Sequence, residues 1–296
     1  MDYQLFLQLT LTGLAWGSVY ALVALSFVLI FKATDTFNFA QPEIMMLGAY
    51  IGFTLVSVFH LPFFLGFVLT MLIMAVLTAL MEMMVVRPLV GEPMLSIVMI
   101  TIGLAYVIQG FVGMTWGYEE FEYPSPFPTD PILFGEVVIS QAELYTIICT
   151  AILLVVFFLF FKFSSSGITL RATAEDTTAA FLMGINVKRV FTGSWVIAGL
   201  IAAIAGTFLA SFTFVDPKMN FLALKALPAI ILGGMDSVHG AIIGGLLIGV
   251  MENLAGFYLE DYLGSGINEI TAYVVVLLVM MIRPYGLFGS KEIERV

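Results

Sequence analysis

The chain has 296 residues, 61% of them hydrophobic and 11% charged, with a formal net charge of −10 at pH 7 and a mean hydropathy of +1.07. Soluble domains carry about 25% charged residues, so this composition excludes an ordinary soluble enzyme, although the length would suit about two soluble domains. The acidic balance gives no electrostatic footprint for nucleic acid, and the single cysteine, Cys149, excludes an intramolecular disulfide.

Apolar runs predict membrane spans over about 8–31, 38–59, 62–86, 94–117, 144–162, 190–214, 221–233, 238–258 and 268–283. Backbone groups in lipid must be satisfied within their own segment, and the alternating strands of a closed barrel are absent. The predicted fold class is therefore an all-α polytopic membrane protein forming one transmembrane domain over residues 1–296. About eight or nine membrane helices are expected, because the seventh run is too short to cross a core of about 30 Å and reads as a half-helix. The first run lacks a basic n-region and a clear cleavage site, so it reads as a retained span, not a signal peptide.

The first interruption is TDTFNFAQPE. Asn38, Gln41 and Glu43 head an apolar helix, with Pro42 in its first turn. A helix start inside the membrane offers free N–H groups to an anion such as a carboxylate. Further on, residues of about 118–143 form an acidic, Pro-rich loop. It carries Glu119, Glu120, Glu122, Asp130, Glu136 and Glu143, and Pro124, Pro126, Pro128 and Pro131 forbid a helix. It reads as a solvated connector or as part of a docking surface.

The polar island GITLRATAEDTTAAFLMGINVKRV, residues 167–190, predicts a short helix at about 173–184. Thr173 to Asp176 fits a capping box with Thr173 as N-cap, and Gly184 suits a terminator. Ala174, Thr178, Phe181, Leu182 and Ile185 form one stripe, and Glu175, Asp176 and Thr177 begin the other face. Membrane-surface helices usually carry Lys or Arg on the polar face. Acids there favour a protein partner.

The second interruption runs from FVDPKMNFLALK to LGGMDS, where Gly233, Gly234 and Asp236 break an apolar run; such breaks are tolerated only against protein or a water-filled path. The two interruptions enter from opposite sides, as in an inverted repeat. Gly240, Gly244, Gly245 and Gly249 then give the small-residue spacing of close helix packing. If the N-terminus is outside, Lys32, Arg87, Lys162, Arg171, Lys188, Arg189, Arg283, Lys291 and Arg295 all fall inside, which leaves only Lys218 and Lys225 of the eleven basic residues elsewhere. That bias places the island and the tail GSKEIERV in the cytoplasm.

Intramembrane polar residues are candidates for a transport path. Those at the breaks are Asn38, Gln41, Glu43, Lys225 and Asp236, with Ser18 and Tyr20 on the first span. A structural reading stands beside each: Glu43 as a helix-start acid, Lys225 snorkelling outward, Glu252 bonding a neighbouring helix. Neither catalytic residues nor a metal site is expected, since no Ser-His or Cys-His constellation or His-Glu-x-x-His occurs and His60 and His239 are far apart. No Gly-x-x-x-x-Gly-Lys-Ser/Thr occurs either, so the chain cannot itself cradle a nucleotide in a P-loop.

LRATAEDTTAAFLMGINVKRV resembles the cytoplasmic signature of Liv-type permeases, the membrane subunits of branched-chain amino acid ABC importers. The blocks GLAWGSVYALVALSFVLIFKATDTFNFAQPEIMMLGAY, VRPLVGEP, DPKMNFLALKALPAIILGGMDSVHGAIIGGLLIGVMEN and RPYGLFGSKEIERV are similar to further family blocks in the same order. The LivH-like member of the usual permease pair is the nearest in pattern. Pro42 and Met235-Asp236-Ser237 depart from the usual glycine and Gly-Ser.

The resemblance implies a type II-like ABC importer permease in the prokaryotic cytoplasmic membrane, carrying branched-chain or other hydrophobic amino acids. It implies as partners a second permease (LivM-like or a second copy), two cytoplasmic ATPase subunits that bind the ATP, and an extracytoplasmic solute-binding protein, within membrane lipid. The chain itself then needs no cofactor. Arg171, Glu175, Asp176, Phe181, Leu182 and Gly184 become the ATPase-coupling element, with Phe181 and Leu182 as anchors. The alternatives are a related permease for urea, short amides or aromatic acids, and an ion-coupled secondary transporter.

Overall fold

A computed structural model describes residues 3–128, 130–134 and 137–289. Glu136, Lys291 and Arg295, and the tail after Gly289, lie outside the described residues. The first half comprises α1 (Tyr3–Thr34), α2 (Gln41–Phe53), α3 (Phe63–Met81) and α4 (Met94–Trp116). Short strands follow: β1 (Phe121–Glu122), β2 (Ile132–Phe134) and β3 (Val137–Ile139). Then come α5 (Gln141–Phe163), α6 (Ser165–Glu175), α7 (Thr177–Leu182), α8 (Val187–Phe212) and β4 (Phe214–Val215). The chain continues through α9 (Met219–Leu224), α10 (Ala226–Gly233), α11 (Val238–Tyr258), α12 (Glu260–Leu263) and α13 (Ile267–Ile282).

The fold class is the expected one, a helical polytopic membrane protein, to which the described residues add four short strands. Six described helices are long and apolar enough to cross a membrane: α1, α3 with the turns that continue it to Leu89, α4, α5, α8 and α11. The seventh predicted run is broken at Lys225 into α9 and α10, which suits its shortness. Two helices end in π turns, Thr54–Val58 after α2 and Glu82–Val86 after α3. Wide turns of this kind often accompany functional sites. No described residue between Gly117 and Ser140 is helical, as the prolines there require.

The chain forms two compact units. Unit 1 comprises Met1–Val28, Phe127–Thr150 and Leu224–Val296; unit 2 comprises Leu29–Pro126 and Ala151–Ala223. Unit 1 is built on α10, α11 and α13 with the first part of α1, and β2 pairs antiparallel with β3. Its glycines set the packing: a Cβ on Gly13 would lie 2.7 Å from Val250 Cα, and one on Gly17 2.8 Å from Leu246 Cα. Unit 2 packs α8 against α2 and α3, and β1 pairs with β4 through Phe121–Val215 and Glu122–Phe214. Burial separates the helices. The apolar stretches of α1 and α8 are 83% and 72% buried, against 22% for α3 and α5, so the last two expose their sides to lipid.

The helix expected at about 173–184 is instead two. Ser164 caps α6 by accepting from Gly167 N at 2.9 Å, so the helix starts well before Thr173. Thr173 therefore lies inside a helix, buried, with its hydroxyl donating to Thr169 O at 2.9 Å. The true cap of α7 is Asp176, whose backbone is extended and whose Oδ1 accepts from Thr178 N and Ala179 N, both at 2.8 Å. An upstream Ser-Ser-Ser-Gly cap sets the register, so the Thr173 box has no free helix start to serve. Gly184 terminates as expected, at φ +85, a conformation that favours glycine. Asp176→Ala is expected to destabilise α7 by about 1 kcal/mol. Hydrogen exchange should then speed up at Thr178 and Ala179 while the interior of α8 is unchanged.

Candidate functional site

One end of unit 2 gathers the α3–α4 connection, α7 and the first turns of α8 around a groove of about 800 Å³. Phe181, Thr177, Ile185, Arg87 and Phe191 line it. A second hollow of about 310 Å³, bordered by Asp35, Met94 and Trp195, shares Glu82 and Phe191 with the first. On α7, Ala180 is buried, while Phe181, Leu182 and Met183 are 68%, 78% and 83% exposed. Phe181 and Leu182 thus project from the end of a six-residue helix, and Met183 from just beyond it, while Ala180 is the buried residue of that helix. Arg171 is exposed and donates to Lys162 O at 3.4 Å, and Glu175 is exposed at the end of α6.

Glu82 sits under this groove. Its carboxylate accepts from Arg87 Nε at 3.1 Å and Nη2 at 2.6 Å. The Thr192 hydroxyl, on α8, accepts from Arg87 and donates to Glu82 at 2.9 Å. The π turn aims Glu82 inward at 2% side-chain exposure, whereas Arg87 keeps 31%. The clasp therefore joins the end of α3 to the start of α8.

The path candidates form separate groups. At the turn before α2, Asn38 Nδ2 donates to Gln41 Oε1 at 3.0 Å, and Gln41 Nε2 reaches Ala198 O at 3.4 Å. Both side chains are buried. The N–H groups of Ala40 and Gln41 are taken by Asn38, through its Oδ1 at 3.1 Å and its carbonyl at 3.2 Å, and Pro42 has none. Two of the donors expected there for an anion are therefore engaged by the turn's own asparagine. Glu43 turns the other way, accepting from Asn220 Nδ2 of α9 at 3.2 Å. Just before α9, burial raises the Asp216 carboxyl above its ordinary value; Lys218 opposes the shift and Glu120 adds to it.

In unit 1 the Tyr20 hydroxyl donates to Glu252 Oε2 at 2.9 Å, and Lys225 Nζ lies 3.5 Å from the same oxygen. Tyr20 and Lys225, named separately from sequence, thus meet at Glu252 of α11. Ser18 instead bonds its own helix, to Leu14 O at 2.7 Å. Asp236 lies in the turn after α10, with its Oδ1 towards Gly289; α10, about 12 Å long, stands between it and Lys225. The sequence reading missed Glu82 and Asn220, while Glu252, read as bonding a neighbouring helix, does so through Tyr20 of α1. The available signal was a lone acid or amide in an apolar run, which marks intramembrane function by default.

A family model described as the permease component of branched-chain amino acid transport systems matches residues 9–283. The high-affinity branched-chain amino acid transport system permease protein LivH of Escherichia coli K12 is 31% identical, over 98% of both chains. BraD of Pseudomonas aeruginosa, with the same description, is 30% identical over 98% of both. A probable LivH of Methanocaldococcus jannaschii is 27% identical over 96% of this chain and 93% of its own. Among solved structures, PsaBC from Streptococcus pneumoniae in complex with Fab is similar at a TM-score of 0.51 and 16% identity, covering 95% of this chain and 92% of that one. That likeness concerns the fold alone.

Proposed function

The chain belongs to the family of permease components of branched-chain amino acid transport systems, and on that premise we propose that it is the LivH-like half of an ATP-driven importer for branched-chain or other hydrophobic amino acids. It is a transport subunit and a multi-pass membrane protein. Its partners are a second permease subunit, LivM-like or a second copy, two cytoplasmic ATPase subunits that bind the ATP, and an extracytoplasmic solute-binding protein. The N-terminus lies outside and the C-terminus in the cytoplasm, the orientation that puts most Lys and Arg inside.

The observation that carries the coupling role is the exposure of Phe181 and Leu182 at 68% and 78% on a capped helix beside a groove. Exposed apolar side chains on a polar, acidic segment suit a protein cleft better than an anionic lipid surface. In this reading α7 seats in an ATPase subunit, with Glu175, Asp176 and Arg171 at the rim. Nucleotide-driven closure of the ATPases carries α7 with it, and α8 passes the movement to α2 and α3, against which it packs. Such coupling requires contacts on α7 that differ in free energy between the two ATPase states. Asn38, Gln41, Glu43, Lys225, Tyr20, Ser18 and Asp236 contribute to the path or to its walls.

The test is Phe181→Asp with Leu182→Asp. Both side chains are solvent-exposed, so the permease should still fold. Two anchor residues at about 2 kcal/mol each correspond to roughly a thousandfold in Kd. Loss of the ATPase subunits from the purified complex is expected; their recovery at wild-type yield would refute docking through α7.

A further inference from the structure

Glu43 and Asn220 form a buried pair that ends in acceptors. Asn220 Nδ2 donates to Glu43 Oε1 at 3.2 Å, and Asn220 and Glu43 are 4% and 8% exposed. The remaining oxygens, Glu43 Oε2 and Asn220 Oδ1, are buried and have no hydrogen-bond partner among the described residues. Turning the amide over would place Asn220 Oδ1 against the carboxylate, so an ionised Glu43 holds the orientation described. With Glu43 ionised, the pair presents two acceptors and one negative charge, and no donor.

A further acid lies near in the chain: Asp216 is four residues before Asn220, in the loop that leads into α9. Lys218, the base acting on Asp216, is exposed and lies 3.8 Å from Glu120. A cluster of this kind repels a carboxylate. It is complementary to a group that brings positive charge and several N–H donors together, which is a primary ammonium.

We propose that Glu43 Oε2 and Asn220 Oδ1 accept the α-ammonium group of the amino acid in transit. This rests on the reading that the chain passes amino acids, and it reverses the polarity expected at the start of α2. A single side-chain hydrogen bond joins Asn220 to Glu43, and a transit site of this kind has to release its ligand to the next part of the path. The side chain of the substrate plays no part in this contact, which selects for the ammonium and not for leucine over valine.

The experiment uses the full complex, with its ATPases and binding protein, in proteoliposomes. Uptake of leucine is measured with a probe loaded on the side opposite the binding protein, so that the probe reaches the permease directly. Leucinamide keeps the ammonium and lacks the carboxylate; 4-methylpentanoate keeps the carboxylate and lacks the ammonium. In the wild-type complex leucinamide should inhibit and 4-methylpentanoate should not. In Glu43→Gln and Asn220→Leu the inhibition constant for leucinamide should rise by at least about tenfold, with the purified yield of the complex serving as the check that each variant folds and assembles. Asn220→Asp, which keeps an acceptor, should retain leucinamide inhibition. Inhibition by 4-methylpentanoate instead, or unchanged leucinamide inhibition in both Glu43→Gln, which removes the charge, and Asn220→Leu, which removes an acceptor, would overturn the proposal. A wild-type complex that takes up no amino acid would refute the functional reading itself, a separate outcome.

Discussion

Gly249→Leu is expected to abolish accumulation of the folded permease. In unit 1, α11 lies against the first part of α1 with backbone touching backbone. A Cβ on Gly249 would collide with the backbone of Gly17, and one on Gly245 with the backbone of Ala21. From the other side, a Cβ on Gly13 would lie 3.0 Å from Gly249 O, and one on Gly17 2.9 Å from Leu246 O. Overpacking a core usually costs about 1–3 kcal/mol because side chains can turn aside. Here the neighbours are main-chain atoms, so relief requires the helices to part, and the cost lies at or above that range. The separation would also stretch the contact between Tyr20 and Glu252, which bridges the same two helices at 2.9 Å. Membrane yield and detergent-solubilised Tm give the measurement. Gly103→Leu is the control, because nothing lies within 4 Å of a Cβ there, and its yield should match wild type. Normal yield for Gly249→Leu would show that α1 and α11 do not meet at these glycines.

The second large effect is asymmetric. Arg87→Met is expected to destabilise the permease by about 3–5 kcal/mol, because it strands a buried carboxylate. Glu82→Gln should cost only about 1–2 kcal/mol, since Arg87 can turn to water when its partner loses charge. The difference follows from exposure: the Glu82 side chain is 2% exposed and that of Arg87 31%. Glu82→Leu combined with Arg87→Met should recover most of the loss, as removal of a whole buried pair commonly does. Thermal unfolding in detergent compares these variants with wild type. An Arg87→Met protein as stable as wild type would mean that the clasp between α3 and α8 does not hold this end of unit 2 together. Because the clasp lies beneath the groove proposed for the ATPase, residual transport in Glu82→Gln also reports whether the joint must be stiff.

Much of the fold was legible in the apolar runs. Lipid forbids any backbone arrangement that does not satisfy itself, so a long greasy stretch has essentially one conformation available. The ends of α4, α11 and α13 fall within a residue or so of the expected spans. The short seventh run behaved as its length demanded, parting at Lys225. Helix starts were less legible, and Thr173 shows why. A capping signature states what a helix start would accept, whereas the start itself goes to whichever cap comes first in a competent register, and Ser164 came first.

The polar side chains were legible as exceptions but not as pairs. Asn38, Gln41, Glu43, Tyr20 and Lys225 stood out because each is costly in an apolar run. Nothing local states that Glu43 meets Asn220, 177 positions away, or that Tyr20 meets Glu252 across 232. Glu82 escaped notice although its partner lies only five residues on, because a π turn, not the ordinary helical spacing, brings Arg87 back to it.

Composition and pattern alone determined the class: a helical membrane protein with two interrupted spans, a polar segment ending at Gly184, and the motif blocks of one permease family. Partnership was decided only by the tertiary structure. It chose Asp176 as the cap, set Gly13 and Gly17 against Gly245 and Gly249, and brought Glu43 of α2 to Asn220 of α9. The physical reason is range. Hydropathy and capping act over one or two turns of chain, while the charge or hydrogen bond that satisfies a buried polar group is supplied by whichever helix packing brings alongside.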